Sequence, residues 1–232
     1  MIRAACLVAV KDLRLVAFRG TALVQALLLG LVLVVLFSLA LEGRGQAEPG
    51  VAAAMFWLAS AFCQILIFNA LFALEETGRA RLGLLLAPVP RQAVWLGKAL
   101  AGMGLLLVVQ AALAISSVVF LGQSWLASPV TALGVVLLVD AGVTALGVLL
   151  GACAQGQATR ESLCSILLFP LLVPLFLAGI RVLGILFEQS SAGTVPAGAV
   201  AEMMRWLGLA AAFDAIFIAA ALVLFPFIYG GE

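Results

Sequence analysis

The stretch ALAGMGLLLVVQAALAISSVVFL, residues 99–121, runs through 23 positions without one charged residue. The hydrocarbon core of a bilayer is about 30 Å thick, so a helix crosses it with roughly 20 apolar residues. The stretch lacks the strict alternation of apolar and polar residues that a half-buried strand shows. Its backbone must therefore satisfy its own hydrogen bonds inside the membrane, and we interpret it as a transmembrane helix.

Five further apolar runs of similar length flank this stretch along the 232-residue chain. Hydrophobic residues make up 66% of the composition and charged residues 10%, with a mean hydropathy of +1.28, which is too apolar for a soluble domain. We predict an all-α integral membrane protein that forms a single domain over residues 1–232. Its six transmembrane helices are expected at residues 20–41, 51–74, 99–121, 130–153, 163–187 and 206–229.

Lysine and arginine residues are distributed unevenly between alternate connections, and cytoplasmic loops of membrane proteins carry the excess. One set of connections has three of them, Arg44, Arg181 and Arg205. The other set has nine, which are Arg3, Lys11, Arg14, Arg19, Arg79, Arg81, Arg91, Lys98 and Arg160. Both termini are therefore predicted to be cytoplasmic, in a multi-pass membrane protein. The net charge of +1 argues against nucleic acid as a partner.

Residues 1–19 precede the first apolar run and have the pattern of an amphipathic helix. At 100° per residue, the charged residues of this segment fall on one half of the helical wheel. They are Arg3, Lys11, Asp12, Arg14 and Arg19. Such a helix is expected to lie flat in the cytoplasmic headgroup layer, with its cations near anionic lipid. The alternative is a basic flank that only sets the topology of the first crossing.

The connection between the second and third crossings, residues 75–98, is the longest cytoplasmic loop and mixes charged with apolar residues. Pro88 and Pro90 cannot donate backbone hydrogen bonds and disfavour helix in the residue before them, so they should end one helical arm before a second begins at Arg91. We name residues 75–98 the elbow segment. Its half-apolar, half-charged character suits the docking of a soluble partner. The alternative is an interfacial loop that rests on lipid.

The elbow segment resembles the cytoplasmic coupling segment of the haem exporter protein B family, in which an acidic and glycine-containing stretch precedes a leucine run, a proline and a Gly-Lys or Ala-Lys pair. The corresponding residues of this chain are Glu75, Glu76, Gly78, Leu84 to Leu86, Pro88, Gly97 and Lys98. KDLRLVAFRG at residues 11–20 is similar to the family's basic N-terminal segment. LLFPLLVPLFLAG at residues 167–179 is similar to its fifth helix, which has paired prolines.

This resemblance implies the membrane (permease) subunit of an ATP-driven ABC transporter complex that serves haem export and cytochrome c biogenesis. It further implies two ATPase subunits, two copies of the membrane subunit as a homodimer, and additional haem-handling membrane proteins. The chain has no nucleotide-binding loop, because Gly97-Lys98 is followed by Ala99 and Gln92 stands where the motif has its first glycine. ATP is therefore expected on a separate ATPase subunit, and the chain itself is not expected to be an enzyme.

The elbow segment is the best candidate surface for docking of that ATPase. A stiff elbow joined to two crossing helices could transmit the movement of a docked protein to both of them. We predict that coupling depends on the charged residues of the segment and on the glycine and prolines that shape it, namely Glu75, Glu76, Gly78, Arg79, Arg81, Pro88, Pro90, Arg91 and Lys98.

The sequence contains no histidine, which is the commonest axial ligand of haem iron. Met203 and Met204 lie in a predicted outer loop, and the four cysteines show no spacing typical of a zinc site. No metal or cofactor is therefore expected to be bound directly. Haem would be transported cargo, held by apolar walls and arginine, or a ligand of a partner subunit.

Three ionisable residues fall inside predicted crossings, where a charge is costly unless it is paired or faces water. Asp140, Arg181 and Asp214 lie at overlapping depths from the outer boundary, about 9 to 15 Å at 1.5 Å per residue. We expect Arg181 to pair with one of the two acids, either in a polar cleft or as helix–helix contacts. Alternatively, the fifth helix ends near Ile180 and residues 181–187 fold back as a short outer helix, which puts Arg181 at the interface.

Two functional hypotheses remain open from the sequence. In the first, the chain is a permease through which an ATPase drives haem export. In the second, it is a non-transporting membrane anchor through which ATP hydrolysis remodels a haem-carrying partner complex, as the missing histidine and the scarcity of polar residues would favour. A proton- or ion-driven carrier is less well supported, because the two halves show no internal repeat.

Overall fold

The computed structural model describes residues 1–19, 21–41, 47–77, 83, 88–125, 128–154, 158–193 and 198–230, and its regular elements in these ranges are helices. They are α1 (Ile2–Arg19), α2 (Thr21–Ala40), α3 (Pro49–Thr77), α4 (Arg91–Leu121), α5 (Pro129–Ala154), α6 (Ala158–Ala192) and α7 (Ala199–Gly230). The predicted all-α class is confirmed. The six helices α2 to α7 are each long and apolar enough to cross a membrane, so the chain is a multi-pass membrane protein.

Each of the helices α2 to α7 contacts its neighbour in sequence, as short connections between long helices require. The end of α3 and the start of α4 lie at one end of the bundle, which we call the elbow end. Arg91 at the start of α4 and Pro226 near the end of α7 are joined there by a hydrogen bond. The ends of α2, α4 and α6 and the starts of α3, α5 and α7 lie at the opposite end, which we call the far end.

Several helices extend beyond the predicted crossings. α4 begins at Arg91, directly after Pro90, whose extended backbone (φ −61°, ψ 133°) ends the preceding chain. The second arm of the elbow segment is thus the first two turns of α4 and not a separate helix. α6 continues without a break to Ala192, past Pro170 and Pro174, so residues 181–187 do not fold back. A proline inside a membrane helix is tolerated because neighbouring groups satisfy the backbone.

Glycines opposite aromatic rings set the spacing between α3 and its neighbours. The Phe68 ring of α3 fills the space beside Gly102 of α4 and Gly147 of α5, and the Phe72 ring lies against Gly151 of α5. Gly147 and Gly151 are four residues apart, a spacing that allows close helix approach in membranes. These contacts keep α3, α4 and α5 in one tightly packed unit.

Hydrogen bonds hold the far end together. Gln123 Nε2 donates to the Ala47 carbonyl at 2.8 Å, which joins the α4–α5 connection to the start of α3. Trp125 Nε1 donates to Ser117 Oγ at 2.7 Å, and its ring makes edge contacts with Phe56 and Phe187. The far ends of α3, α4 and α6 therefore meet around one aromatic side chain.

Candidate functional site: the elbow end and an intramembrane acid pair

A buried ion pair joins α1 to α4 at the elbow end. Lys98 of α4 is 0% exposed, and its Nζ lies 3.4 Å from Asp12 Oδ2 of α1, which is 2% exposed. The same ammonium group lies 4.4 Å from the centre of the Phe72 ring, a cation–π geometry. Lys11 Nζ lies 2.9 Å from the other carboxylate oxygen of Asp12. Lys98, Asp12 and Phe72 thus connect α4, α1 and α3 at one point.

The backbones of α1 and α4 approach closely enough to make this pair possible. A Cβ atom at Gly97 would lie 2.7 Å from the Ala5 carbonyl oxygen and 2.7 Å from Val8 Cβ. Gly97 therefore leaves the space into which α1 packs, and Lys98 is the next residue along α4. The glycine and lysine of this Gly-Lys pair consequently act at the same contact between α1 and α4.

This contact corrects two expectations about exposure. Asp12 was expected on the charged half of α1 that faces the headgroups, but it is buried because Lys98 offers it a cation from another helix. Lys98 was expected on the coupling surface, but it is completely buried, so it cannot touch a docked protein directly. Any effect of Lys98 on coupling must therefore be transmitted through α1 and α4.

The remaining elbow residues differ in how far the structure describes them. Pro88, Pro90 and Arg91 are exposed, and Arg91 Nη1 donates to the Pro226 carbonyl at 2.8 Å. The backbone of Glu75 and Glu76 belongs to the last turn of α3, and their side chains are outside the described part of the chain. Gly78, Arg79 and Arg81 also lie outside the described residues.

The two predicted intramembrane acids lie together in the middle of the bundle. Asp140 of α5 is 0% exposed, and its Oδ1 accepts a hydrogen bond from Gln110 Nε2 of α4 at 2.9 Å. Asp214 of α7 is 5% exposed, and its carboxyl group lies against the backbone of Gly142, two residues after Asp140. The two carboxyl groups are close enough to interact electrostatically.

Arg181 does not join these acids, so the expected ion pair is wrong. Its neighbours Val182 and Leu183 are buried in the bundle, whereas Arg181 itself is on the exposed side of α6. The ion pairs in the described part of the chain, which are those of Asp12 with Lys11 and Lys98, involve neither Asp140 nor Asp214. The prediction failed because depth along a helix says nothing about the face on which a residue lies.

Several buried polar atoms inside the bundle have no hydrogen-bond partner in the described residues. They are Asp140 Oδ2, both carboxyl oxygens of Asp214, Gln110 Oε1, Gln64 Nε2 and Ser60 Oγ. Ser60 and Gln64 precede Phe68 by eight and four residues on α3, and therefore lie on nearly the same face of that helix. Gln110, Gln64 and Ser60 were not predicted from the sequence, although each is an isolated polar residue inside an apolar run.

A pocket of about 240 Å³ opens beside Gln110 between α4 and α5. Its other walls are apolar and include Phe56, Trp125 and Leu133. Since Gln110 both lines this pocket and binds Asp140, it lies between the pocket and the acid pair.

Two comparisons with known proteins bear on this arrangement. A family model described as "CcmB protein" matches residues 3–228 of the chain, which is nearly its whole length. The matched region includes the elbow segment, the Asp12–Lys98 contact and both intramembrane acids. No curated protein matches the chain.

Proposed function

The chain belongs to the CcmB protein family, and on this premise we propose that it is the membrane subunit of an ATP-driven haem-export complex that serves cytochrome c biogenesis. The family match over residues 3–228 is the observation that carries this proposal. The proposed complex contains a separate ABC ATPase, a second copy of this chain and further haem-handling membrane subunits. ATP binds the ATPase, because the sequence of this chain has no nucleotide-binding loop.

We assign the elbow end to the cytoplasm, in the bacterial inner membrane. Nine of the twelve Lys and Arg residues occur in the sequence segments at or next to this end, and cytoplasmic segments carry such an excess. Both termini belong to the same side in this orientation. The ATPase then approaches the end of the bundle at which Pro88, Pro90 and Arg91 are exposed.

Three contacts support the elbow segment as the place where movement of the ATPase enters the bundle. The segment joins α3 to α4 directly. α1 is fastened to α4 by the pair between Asp12 and Lys98, and the end of α7 is tied to the start of α4 by Arg91. A displacement of the segment is therefore transmitted to α1, α3, α4 and α7 together, because packed helices move as rigid units.

Haem enters the proposal as cargo and not as a resident cofactor. Among the described residues there is no group of three or more His, Cys, Asp or Glu that could hold a metal ion. The buried Cys63 thiol is already engaged, since its Sγ donates to the Ala26 carbonyl at 3.1 Å. Met204 is exposed on α7 and has no opposing ligand from histidine, which the sequence lacks. The lack of histidine in the sequence thus supports haem as cargo rather than as an axially ligated cofactor.

The same observations favour a second candidate function, a non-transporting anchor through which ATP hydrolysis remodels a haem-carrying partner complex. Reconstitution of the chain with its ATPase in sealed vesicles separates the two. ATP-dependent movement of haem across the bilayer supports the permease. ATP hydrolysis that changes the haem-carrying partner without moving haem supports the anchor.

Charge reversal in the elbow segment tests the coupling itself. We expect the double variant Glu75→Lys with Glu76→Lys to lower stimulation of the ATPase about tenfold or more. A loss of about 1.4 kcal/mol in the free energy of docking lowers the affinity tenfold. Glu202→Lys is the matched control, because Glu202 is exposed at the far end. The measurement is ATPase rate and co-purification in nanodiscs. Normal stimulation by the doubly reversed variant contradicts the assignment of the elbow segment.

Replacement of a proline tests the shape of the segment independently of its charge. We expect Pro88→Ala to reduce ATPase stimulation while membrane insertion stays normal, because alanine restores the backbone N–H and lets helix extend through the turn. Pro129→Ala is the control, since Pro129 is an exposed proline at the far end, where α5 begins. Equal ATPase stimulation in the two variants counts against a shaped elbow.

A further inference from the structure

Asp140 and Asp214 form a polar centre to which the described residues supply no cation. The helices around the pair are α3 to α7, and on α7 the other charged described side chains are Glu202 and Arg205, which are exposed near the far end. α3 contributes Gln64 and Ser60 on the face that carries Phe68, and α4 contributes Gln110. On α5 the nearest polar side chain is Thr144, whose Oγ1 donates to the Asp140 carbonyl at 2.8 Å. Of the described side chains of α6, the charged ones are Arg181 and Glu188, and both are on the exposed side.

The partners that the structure gives to these acids cannot stabilise two negative charges. Asp140 receives one amide hydrogen bond, and its second oxygen has no partner among the described residues. Asp214 lies against the backbone of Gly142, and neither of its oxygens has a hydrogen bond to a described side chain. An ionised carboxylate in an apolar interior costs several kcal/mol unless it is paired, and such a group becomes neutral instead. Two ionised carboxylates as close as those of Asp140 and Asp214 would also repel each other.

We propose that Asp140 and Asp214 together form an intramembrane proton-binding site, which holds at least one proton at neutral pH. A protonated carboxyl group has an O–H donor as well as an acceptor. One proton therefore supplies the donor that the unpartnered oxygens of Asp140 and Asp214 lack, and it removes one of the two negative charges. Asp140 Oδ1 already accepts a hydrogen bond from Gln110 Nε2, so Oδ2 is the oxygen left to carry the proton.

The bound proton has a structural consequence for α5 and α7. These two helices share one of the largest interfaces of the bundle, and the carboxyl group of Asp214 crosses it to reach the backbone of Gly142. With the proton in place, at most one negative charge lies at this interface. When the proton leaves, two like charges face each other across the interface and favour separation of α5 from α7.

Gln110 marks the side from which a proton can reach Asp140. This side chain lines the pocket between α4 and α5 and is hydrogen-bonded to Asp140. The pocket is bounded by Trp125 and Pro129 at the far end of the bundle. Proton exchange is therefore expected from the far end and not from the elbow end.

Infrared spectroscopy of the full-length chain in lipid nanodiscs tests the proposal directly. A protonated carboxyl group has a C=O stretching band that an ionised carboxylate lacks. We expect this band at neutral pH in the unmodified chain, and we expect Asp140→Asn with Asp214→Asn to remove it. The control is Asp12→Asn, because Asp12 is a buried acid whose two oxygens face lysine ammonium groups. A band that persists unchanged in the double variant overturns the proposal.

Thermal unfolding gives a second readout with single variants, which are less disruptive. Asparagine has the shape of a neutral aspartic acid, so we expect Asp140→Asn to shift the Tm by no more than about 2 °C. Asp12→Asn should lower it by about 5 °C or more, because it leaves the buried Lys98 without its counter-ion. Equal losses in the two variants mean that Asp140 is ionised, and they overturn the proposal.

The pH dependence of the Tm identifies the bound ion. A folded chain that holds a proton which the unfolded chain releases becomes less stable as pH rises through neutrality. We expect the Tm to fall between about pH 6 and about pH 8, and this slope to be reduced in Asp140→Asn. Sodium chloride is compared with choline chloride at constant ionic strength. A Tm that rises with sodium and is independent of pH means that a metal cation occupies the site, which overturns the proton proposal.

Discussion

Replacing Lys98 by methionine is expected to lower the free energy of unfolding by about 3 kcal/mol. Methionine keeps most of the apolar stem but removes the ammonium group that faces Asp12 at 3.4 Å and the Phe72 ring at 4.4 Å. Removing one partner of a buried ion pair typically costs about 3 to 5 kcal/mol, because the other charge stays buried without compensation. The loss is expected at the lower end of that range, since Lys11 still contacts Asp12 at 2.9 Å.

The structure supplies matched controls for this prediction. Lys11→Met removes the second ammonium group, but Lys11 is 34% exposed, and exposed pairs are worth at most about 1 kcal/mol. The double variant Asp12→Asn with Lys98→Met removes both charges of the buried pair and should recover much of the lost stability. Unfolding is followed by denaturant titration in nanodiscs or mild detergent. If Lys98→Met and Lys11→Met lose equal stability, the buried pair is not what fastens α1 to α4.

The six membrane helices could be predicted from sequence because a bilayer of fixed thickness selects apolar runs of fixed length. Their ends were less well predicted. Arg91 to Lys98 continue α4 into the elbow segment, and hydropathy alone ended the crossing at residue 99 because Arg91 and Lys98 are charged. Lys98 is inside the bundle nevertheless, since Asp12 neutralises it. A window of neighbouring residues cannot detect a partner that lies 86 positions away along the chain.

The candidate site was predicted in part. Asp140 and Asp214 were selected because an acid inside an apolar run is costly, and the structure brings these two together. Arg181 was selected by the same reasoning but lies on the exposed side of α6 and pairs with neither acid. Gln110 was not predicted as a site residue, because its amide group is uncharged. It is nevertheless the residue that is hydrogen-bonded to Asp140. The helical face, and not the depth, separates these outcomes.

Replacing Gly147 by alanine is expected to lower the free energy of unfolding by about 2 to 3 kcal/mol, although alanine is the better helix former. A Cβ atom at this position would lie 2.5 Å from Phe68 Cε2, closer than side chains pack. The ring cannot move away freely, because its Cε1 already lies 2.5 Å from the corresponding point at Gly102. Overpacking of this kind costs about 1 to 3 kcal/mol, and confinement on both sides puts Gly147→Ala near the upper limit.

The same substitution on the same helix should have the opposite sign at Gly134. No atom lies within 4 Å of a Cβ placed there, and the residue is exposed. Gly134→Ala should therefore raise stability by about 0.5 to 1 kcal/mol, the ordinary gain for alanine over glycine inside a helix. Phe68→Leu combined with Gly147→Ala should lose less than the sum of the two single changes, because leucine frees the space that alanine needs. Additive losses, or stabilisation by Gly147→Ala itself, mean that the Phe68 ring does not set the spacing between α3 and α5.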